Sequence, residues 1–331
     1  MEKDKTKSVA QRIDDFINSL SEIDIKNSPF ISFVTEIDDI NLYSVLKYFQ
    51  KRTDIFYYSV PQRNFYIAAS GEVFSLEFNS VNQLNKYSGK FDEIKNSICN
   101  NFSSYKIDPP LFFLSAKFPS EKDSGEWKDF KRTKLFTPEF TFIKSDLKIF
   151  LVINHKTGST ADKKLISGEL YKSFINLQQI PKNFQHNGLN AALTIPASIE
   201  NDYWVKNIHN LLNRIQKNEI DKVVISRCKV FKIEGGIEPD GIAFVLDQKY
   251  PECYNFVYSV GTSVFFSASP EKLFVLNTGE IQTEALAGSI ERGGTIDEDK
   301  DFVTIIKLLN RYTFEEETLG KDIKQSESLI L

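Results

Sequence analysis

Three short stretches in the second half of the chain carry residue types suited to acid–base chemistry or to carboxylate binding. They are DKVVISR at 221–227, SASPEKL at 267–273 and TEALAGS at 283–289. The first offers an amine, the second a carboxyl group, and the third a turn of small residues. Together they supply a proton acceptor, a proton donor and exposed backbone N–H groups.

Lys222 is the amine. In a strand, period-two alternation places it on the same face as Val224 and Ser226. Desolvation lowers the pKa of a lysine, and a neutral amine can act as a general base. The alternation alone favours the simpler interpretation, a solvated lysine at the end of a strand.

Glu271 is the carboxyl group, and it follows Pro270 at a predicted corner between two strands. Proline restricts the backbone, so the side chain can be aimed, and a half-apolar corner favours the protonated acid. The position alone favours an ordinary turn glutamate.

Ala287, Gly288 and Ser289 form the small-residue turn. Minimal side chains let a ligand approach the backbone N–H groups, so such a turn can bind a carboxylate without a cation. The alternative interpretation is a tight strand end.

The elements around these residues predict an α+β fold. A hairpin around Asn277-Thr278-Gly279 lies between Glu271 and the turn at 287–289. Upstream, the pattern predicts a helix with an N-cap at Asn201, a strand over 219–231 and a short helix over 238–250, followed by an antiparallel meander. The first half predicts two amphipathic helices, near Val9 and from Asp39, then aromatic strands. We therefore expect an antiparallel β-sheet sandwich with helices packed outside.

Composition excludes several classes of protein. The chain has 331 residues, a net charge of −4, 41 basic and 45 acidic residues, and no block of one sign, so nucleic acid is not an expected partner. It contains no apolar segment of transmembrane length and no signal core, so neither a membrane partner nor export is expected, and the predicted location is cytoplasmic. Three cysteines without a CxxC pair predict neither a disulfide framework nor a zinc site. The sequence predicts no oligomeric state.

The three stretches, in this order, closely resemble motifs of the chorismate-utilising enzymes, most of all the isochorismate synthases. The segment 110–140, with an aromatic strand and a tryptophan-containing loop, adds support, and the resemblance covers roughly 28–294. It implies that Lys222 activates water, that Glu271 protonates the departing hydroxyl, and that Gly288 and Ser289 contact a carboxylate of chorismate. Menaquinone or siderophore biosynthesis is the implied pathway.

The resemblance also implies Mg²⁺, held by glutamates beyond the small-residue turn. This chain lacks both metal-binding motifs, so no metal ligand is assigned, and we expect the C-terminal portion of the family fold to be missing. We expect one domain over 1–331, with an N-terminal part at 1–195 and the start of the catalytic part at 196–331. The alternatives are a non-catalytic truncated member that acts as a binding or interaction protein, a salicylate synthase, or an aminodeoxychorismate synthase component.

Overall fold

The computed structural model describes residues 7–50, 54–105, 107–118, 125–158, 162–185, 192–194, 199–226, 231–234, 237–277, 280–284, 295 and 311–315. Its α-helices are α1 (Val9–Ser19), α2 (Glu22–Asn27), α3 (Leu42–Phe49), α4 (Ser88–Ser97), α5 (Lys163–Leu177), α6 (Ile199–Gln216) and α7 (Pro239–Lys249). Its strands are β1 (Phe30–Ile37), β2 (Ile55–Val60), β3 (Phe65–Ser70), β4 (Phe74–Phe78), β5 (Cys99–Asn100), β6 (Phe113–Ala116), β7 (Thr133–Thr137), β8 (Phe140–Ser145), β9 (Lys148–Lys156), β10 (Ala192–Thr194), β11 (Lys232–Glu234), β12 (Tyr254–Val260), β13 (Ser263–Ser269), β14 (Val275–Asn277), β15 (Glu280–Glu284) and β16 (Arg311–Glu315).

An eight-stranded sheet organises the fold, in the order β13-β12-β2-β3-β8-β9-β1-β5. Every pairing in it is antiparallel except that of β1 with β5. Strands β12 and β13 come from the second half of the chain, and β12 pairs with β2 from the first half. The two halves of the chain therefore contribute strands to one sheet. The predicted boundary at 195/196 between an N-terminal part and a catalytic part stays a prediction.

Helices α1, α3, α5 and α7 cover one face of this sheet and form the larger core with it. Ile17 of α1, Leu46 of α3, Leu170 of α5 and Ala243 of α7 are all buried there. Helices α1, α3 and α5 start where the sequence supplies a side-chain cap, as at Ser8, whose side chain forms a capping box with Gln11. Burial of one apolar stripe per helix against the sheet is what holds this layer in place.

The opposite face carries a smaller sheet, in the order β4-β7-β6. Aromatic side chains fill the space between the two sheets, as where the rings of Phe136 and Tyr258 stack with centroids 5.8 Å apart. Burial raises the pKa of Tyr258 above its ordinary value. The predicted antiparallel sandwich with outer helices is confirmed.

The structure differs from the predicted elements at three places. Helix α6 begins at Ile199, so Asn201 lies inside the helix and is not its N-cap. Residues 221–226 are not a strand, and the exposed side chain of Val224 is 87% accessible. Strand β1 is absent from the prediction, because its first six residues are buried and show no apolar–polar alternation to mark it.

Candidate functional site

The β12–β13 hairpin at the edge of the large sheet determines the position of Glu271. Strands β12 and β13 pair with Val260 opposite Ser263, so a two-residue turn joins them. Gly261 in that turn has φ of +57°, a left-handed conformation that favours glycine, and its N–H donates to Asp54 Oδ1 at 3.2 Å. The register places Ser269 at the end of β13, two residues before Glu271.

Ser269 organises the corner at which Glu271 lies. Its hydroxyl donates to the carbonyl oxygen of Glu271 at 2.6 Å and accepts from the N–H of Glu271 at 3.4 Å. These local hydrogen bonds turn the chain sharply after Pro270, and the side chain of Glu271 is half-buried. The predicted corner between strands is confirmed, and the corner is braced by a serine whose role sequence analysis did not predict.

The hairpin that follows Glu271 is present as predicted. Asn277 of β14 faces Glu280 of β15, and residues 278–279 between them lie outside the described part of the chain. The hydroxyl of Thr283 on β15 donates to the carbonyl oxygen of Leu273 at 2.8 Å. This bond ties the far strand of the hairpin to the segment directly after Glu271. Strand β15 also pairs with β16.

The tryptophan-containing loop between β6 and β7 packs against β13. The ring of Trp127 lies 5.3 Å from that of Phe265, and Ser263 Oγ donates to Asp129 Oδ2 at 2.5 Å. Both contacts hold the strand that leads to Glu271. The loop thus supports the corner from the side of the small sheet.

Lys222 lies in the segment that follows helix α6. It is exposed, and it makes no hydrogen bond or ion pair with any residue in the described ranges. The neighbouring Val224 and the segment after Glu271 are also exposed, and Leu273 is 83% accessible. The side chain of Lys222 is therefore exposed to solvent in a segment that is not a strand, and its role as a general base stays a prediction.

The predicted carboxylate-binding turn, Ala287, Gly288 and Ser289, lies outside the described residues. Among the described residues, no three or more His, Cys, Asp or Glu side chains form a cluster that could hold a metal ion. The described residues therefore do not fit a Mg²⁺ site. Among the described helices, none is both long enough and apolar enough to cross a bilayer.

A buried carboxylate supports the hairpin from the helical side of the sheet. Asp247 of α7 is 4% exposed and accepts hydrogen bonds from Tyr43, Tyr57, Ser59 and Asn255 at 2.5–3.0 Å. Burial, and then the charge of Asp247, raises the pKa of Tyr57 well above its ordinary value. Sequence analysis missed this network, because its members are far apart in the chain and have no common spacing.

Comparison with known proteins supports the resemblance of the three motifs. A family model described as chorismate binding enzyme matches residues 15–325. Isochorismate synthase MenF of Bacillus subtilis is 24% identical over 297 residues, covering 87% of this chain and 62% of that protein. The salicylate biosynthesis isochorismate synthase of Pseudomonas aeruginosa is 26% identical over 174 residues, which cover 52% of this chain and 36% of that protein.

One solved structure shows the same fold. The menaquinone-specific isochorismate synthase MenF from Escherichia coli superposes with a TM-score of 0.54 at 14% identity, covering 89% of this chain and 63% of that chain. The chain therefore spans about three fifths of the length of these MenF relatives. The family model matches most of the chain, and the predicted resemblance to chorismate-utilising enzymes is confirmed. This chain belongs to the chorismate-binding enzyme family.

Proposed function

We propose that this chain is the part of an isochorismate synthase that carries the acid and the base for converting chorismate into isochorismate. The observation that carries the proposal is the family match over 15–325, which contains the three motifs in order. Two relatives that carry the name isochorismate synthase support it. Menaquinone or siderophore biosynthesis is the proposed pathway.

The proposed reaction needs one proton to be taken and one to be given on different parts of the ring. The neutral amine of Lys222 takes a proton from water as the water oxygen bonds to one ring carbon. The ring double bonds shift, the carbon–oxygen bond of the departing hydroxyl breaks, and Glu271 donates the proton that completes a water molecule. The proposed product is an isomer of the substrate, because one water is added and one is lost.

In this proposal, bound substrate also excludes water from the side chain of Lys222. The lysine is exposed, and only a neutral amine has the lone pair that accepts a proton. A ring placed over it would favour the neutral amine. The backbone N–H groups of Gly288 and Ser289 are proposed to bind a substrate carboxylate and so to fix the ring's orientation.

Mg²⁺ is part of the proposal for the complete enzyme, where it would neutralise substrate carboxylates. The described residues contain no suitable cluster of ligands, and the two proposed proton transfers are assigned to Lys222 and Glu271. A cytoplasmic location is also proposed. Chorismate is the proposed small-molecule partner, and neither nucleic acid nor a membrane is proposed as a partner.

A second candidate function is binding of chorismate without turnover. The exposure of Lys222 and the lack of a metal-binding cluster among the described residues favour it. Two measurements on the purified chain separate the candidates, namely calorimetric titration with chorismate and a coupled isochorismate assay with Mg²⁺. Turnover that disappears in Lys222→Ala supports the enzyme, binding without turnover supports the second candidate, and absence of both contradicts the two.

A further inference from the structure

A cleft lies in the helical layer, away from the residues proposed for catalysis. Its larger chamber has a volume of about 580 Å³ and lies between α1, α5 and the connection from β1 to α3. Apolar side chains form much of its wall, namely Ile37, Phe142, Leu151, Phe174, Leu177 and Ile180. A chamber of this size and lining accommodates a ring-sized apolar group.

A smaller and more polar chamber of about 270 Å³ adjoins the first, and the two share Asp39, Ile40 and Lys182 in their walls. Lys144 and Tyr66 complete the polar side. The cleft therefore has an apolar compartment and a polar compartment that meet at Lys182. Such a division suits a ligand with one apolar end and one polar end.

The two lysines give the polar chamber its binding chemistry. Lys144 is half-buried with Nζ 5.7 Å from the ring centroid of Tyr66, and Lys182 is exposed. Neither lysine forms an ion pair with any residue that the structure describes. The two ammonium groups outnumber the one carboxylate in the wall of this chamber, that of Asp39, so the chamber favours a single anionic group.

Other charged groups also line the larger chamber, and they limit the charge of the ligand. Glu36 faces Lys148 at 3.9 Å, and Arg12 donates from one terminal guanidinium nitrogen to the hydroxyl of Tyr105 at 2.8 Å, while its Nε has no hydrogen-bond partner among the described residues. The first free N–H groups of α3 are capped by Asn41, so they are not available to a ligand. Asp38 stands in the wall of the larger chamber and Asp39 in the walls of both chambers, so the two carboxylates select against ligands with a high negative charge. A single carboxylate meets these constraints.

We propose that this cleft binds a small monocarboxylate with a ring-sized apolar body. The carboxylate lies between Lys144 and Lys182, and the apolar body lies in the chamber between α1 and α5. Neither Lys222 nor Glu271 is among the residues that line the two chambers, and two strands, β12 and β13, separate the lining strand β2 from the sheet edge that leads to Glu271. The site is therefore distinct from the proposed catalytic residues, and its test does not depend on turnover.

Titration calorimetry of the full chain with 3-phenylpropionate and, separately, with phenethylamine tests the proposal. The two probes have similar apolar bodies and opposite charges. We expect saturable binding of 3-phenylpropionate only, weakened about tenfold by either Lys144→Met or Lys182→Met, because each removes one charge-assisted contact and keeps the apolar stem. Lys172→Met, an exposed lysine of α5 outside the cleft, is the matched control and should bind as the wild type does.

A second variant guards against loss of fold in the lysine variants. Ile175→Trp adds a large side chain at the mouth of the apolar chamber, where Ile175 is 37% exposed, and should abolish binding while the thermal melt remains cooperative. Equal binding of the two probes, no binding of 3-phenylpropionate, or unchanged binding in the Lys144→Met/Lys182→Met double variant would overturn the proposal.

Discussion

The hydroxyl of Tyr57 donates a 2.5 Å hydrogen bond to the buried carboxylate of Asp247, and this bond joins the central strand β2 to helix α7. Tyr43, Ser59 and Asn255 complete the set of donors around the same carboxylate. A buried charge is tolerated only where hydrogen bonds replace its hydration. The network therefore couples the helical layer to the strands that lead to Glu271.

Tyr57→Phe removes one donor from this carboxylate and keeps the ring. We expect the free energy of unfolding to fall by about 2 kcal/mol, the usual scale for a hydrogen bond to a charged group. Urea denaturation measures it. Tyr171→Phe, on the exposed side of α5, is the control and should change stability by less than about 0.5 kcal/mol. If Tyr57→Phe and Tyr171→Phe have the same free energy of unfolding, the hydrogen bond from Tyr57 to Asp247 does not contribute to stability.

Gly71 follows β3 with φ of +75°, and a Cβ added there would lie 2.8 Å from Cβ of Glu139. Gly71→Ala should therefore destabilise the fold by about 1–3 kcal/mol, from backbone strain together with the clash. Gly168→Ala is the matched control, because Gly168 lies inside α5 with open space around it. That change should stabilise by about 0.5–1 kcal/mol. Thermal melts that shift in the same direction for both variants would contradict this account.

His155 of β9 lies 3.1 Å from Glu169 of α5 and links the sheet to the helical layer. Burial lowers the pKa of His155 below its ordinary value of 6.5, and the opposing charge of Glu169 only partly offsets this. The unfolded chain therefore takes up a proton first as the pH falls. Stability should be fully present above pH 6.5 and decline as the pH drops through that value. Urea midpoints of wild type and His155→Gln at pH 7.5 and 5.5 test this, with a smaller decline expected in the variant.

In the complete enzyme, Lys222→Ala and Glu271→Gln should each lower chorismate turnover by about 10²-fold or more, the scale of losing a general base or acid. Lys217→Ala provides the control, since it removes an exposed lysine shortly after α6 and should leave the rate unchanged. Rates are measured in the coupled isochorismate assay at saturating chorismate. Wild-type rates in either of the first two variants would remove the proposed mechanism.

Gly288→Val should raise KM for chorismate, because a branched side chain blocks approach of a carboxylate to the backbone N–H groups. Gly89→Val serves as control, since a Cβ at that position meets no atom within 4 Å. Initial rates across a range of chorismate concentrations give the comparison. An unchanged KM with an intact fold would show that the turn at 287–289 has only a structural role.

Local pattern was enough to predict helices α1, α3, α6 and α7 and most strands of the large sheet, but not α2 and α4. Ile13, Phe16 and Ile17 recur at helical spacing and are the buried residues of α1. The hairpin of β14 and β15 follows from its turn residues, and the order of the three motifs predicted the family. These features depend on residues close together in the chain, whose effects a sequence shows directly.

Tertiary structure decided what distant residues do to one another. The Asp247 network, the packing of Trp127 on Phe265 and the cleft beside Lys144 join segments up to about two hundred residues apart, and no spacing in the sequence indicates them. Residues 221–226 show the reverse case, since their strand-like pattern forms no strand. A strand needs a neighbour to receive its hydrogen bonds, so an apolar, β-branched pattern determines a preference for extended backbone but not a place in a sheet.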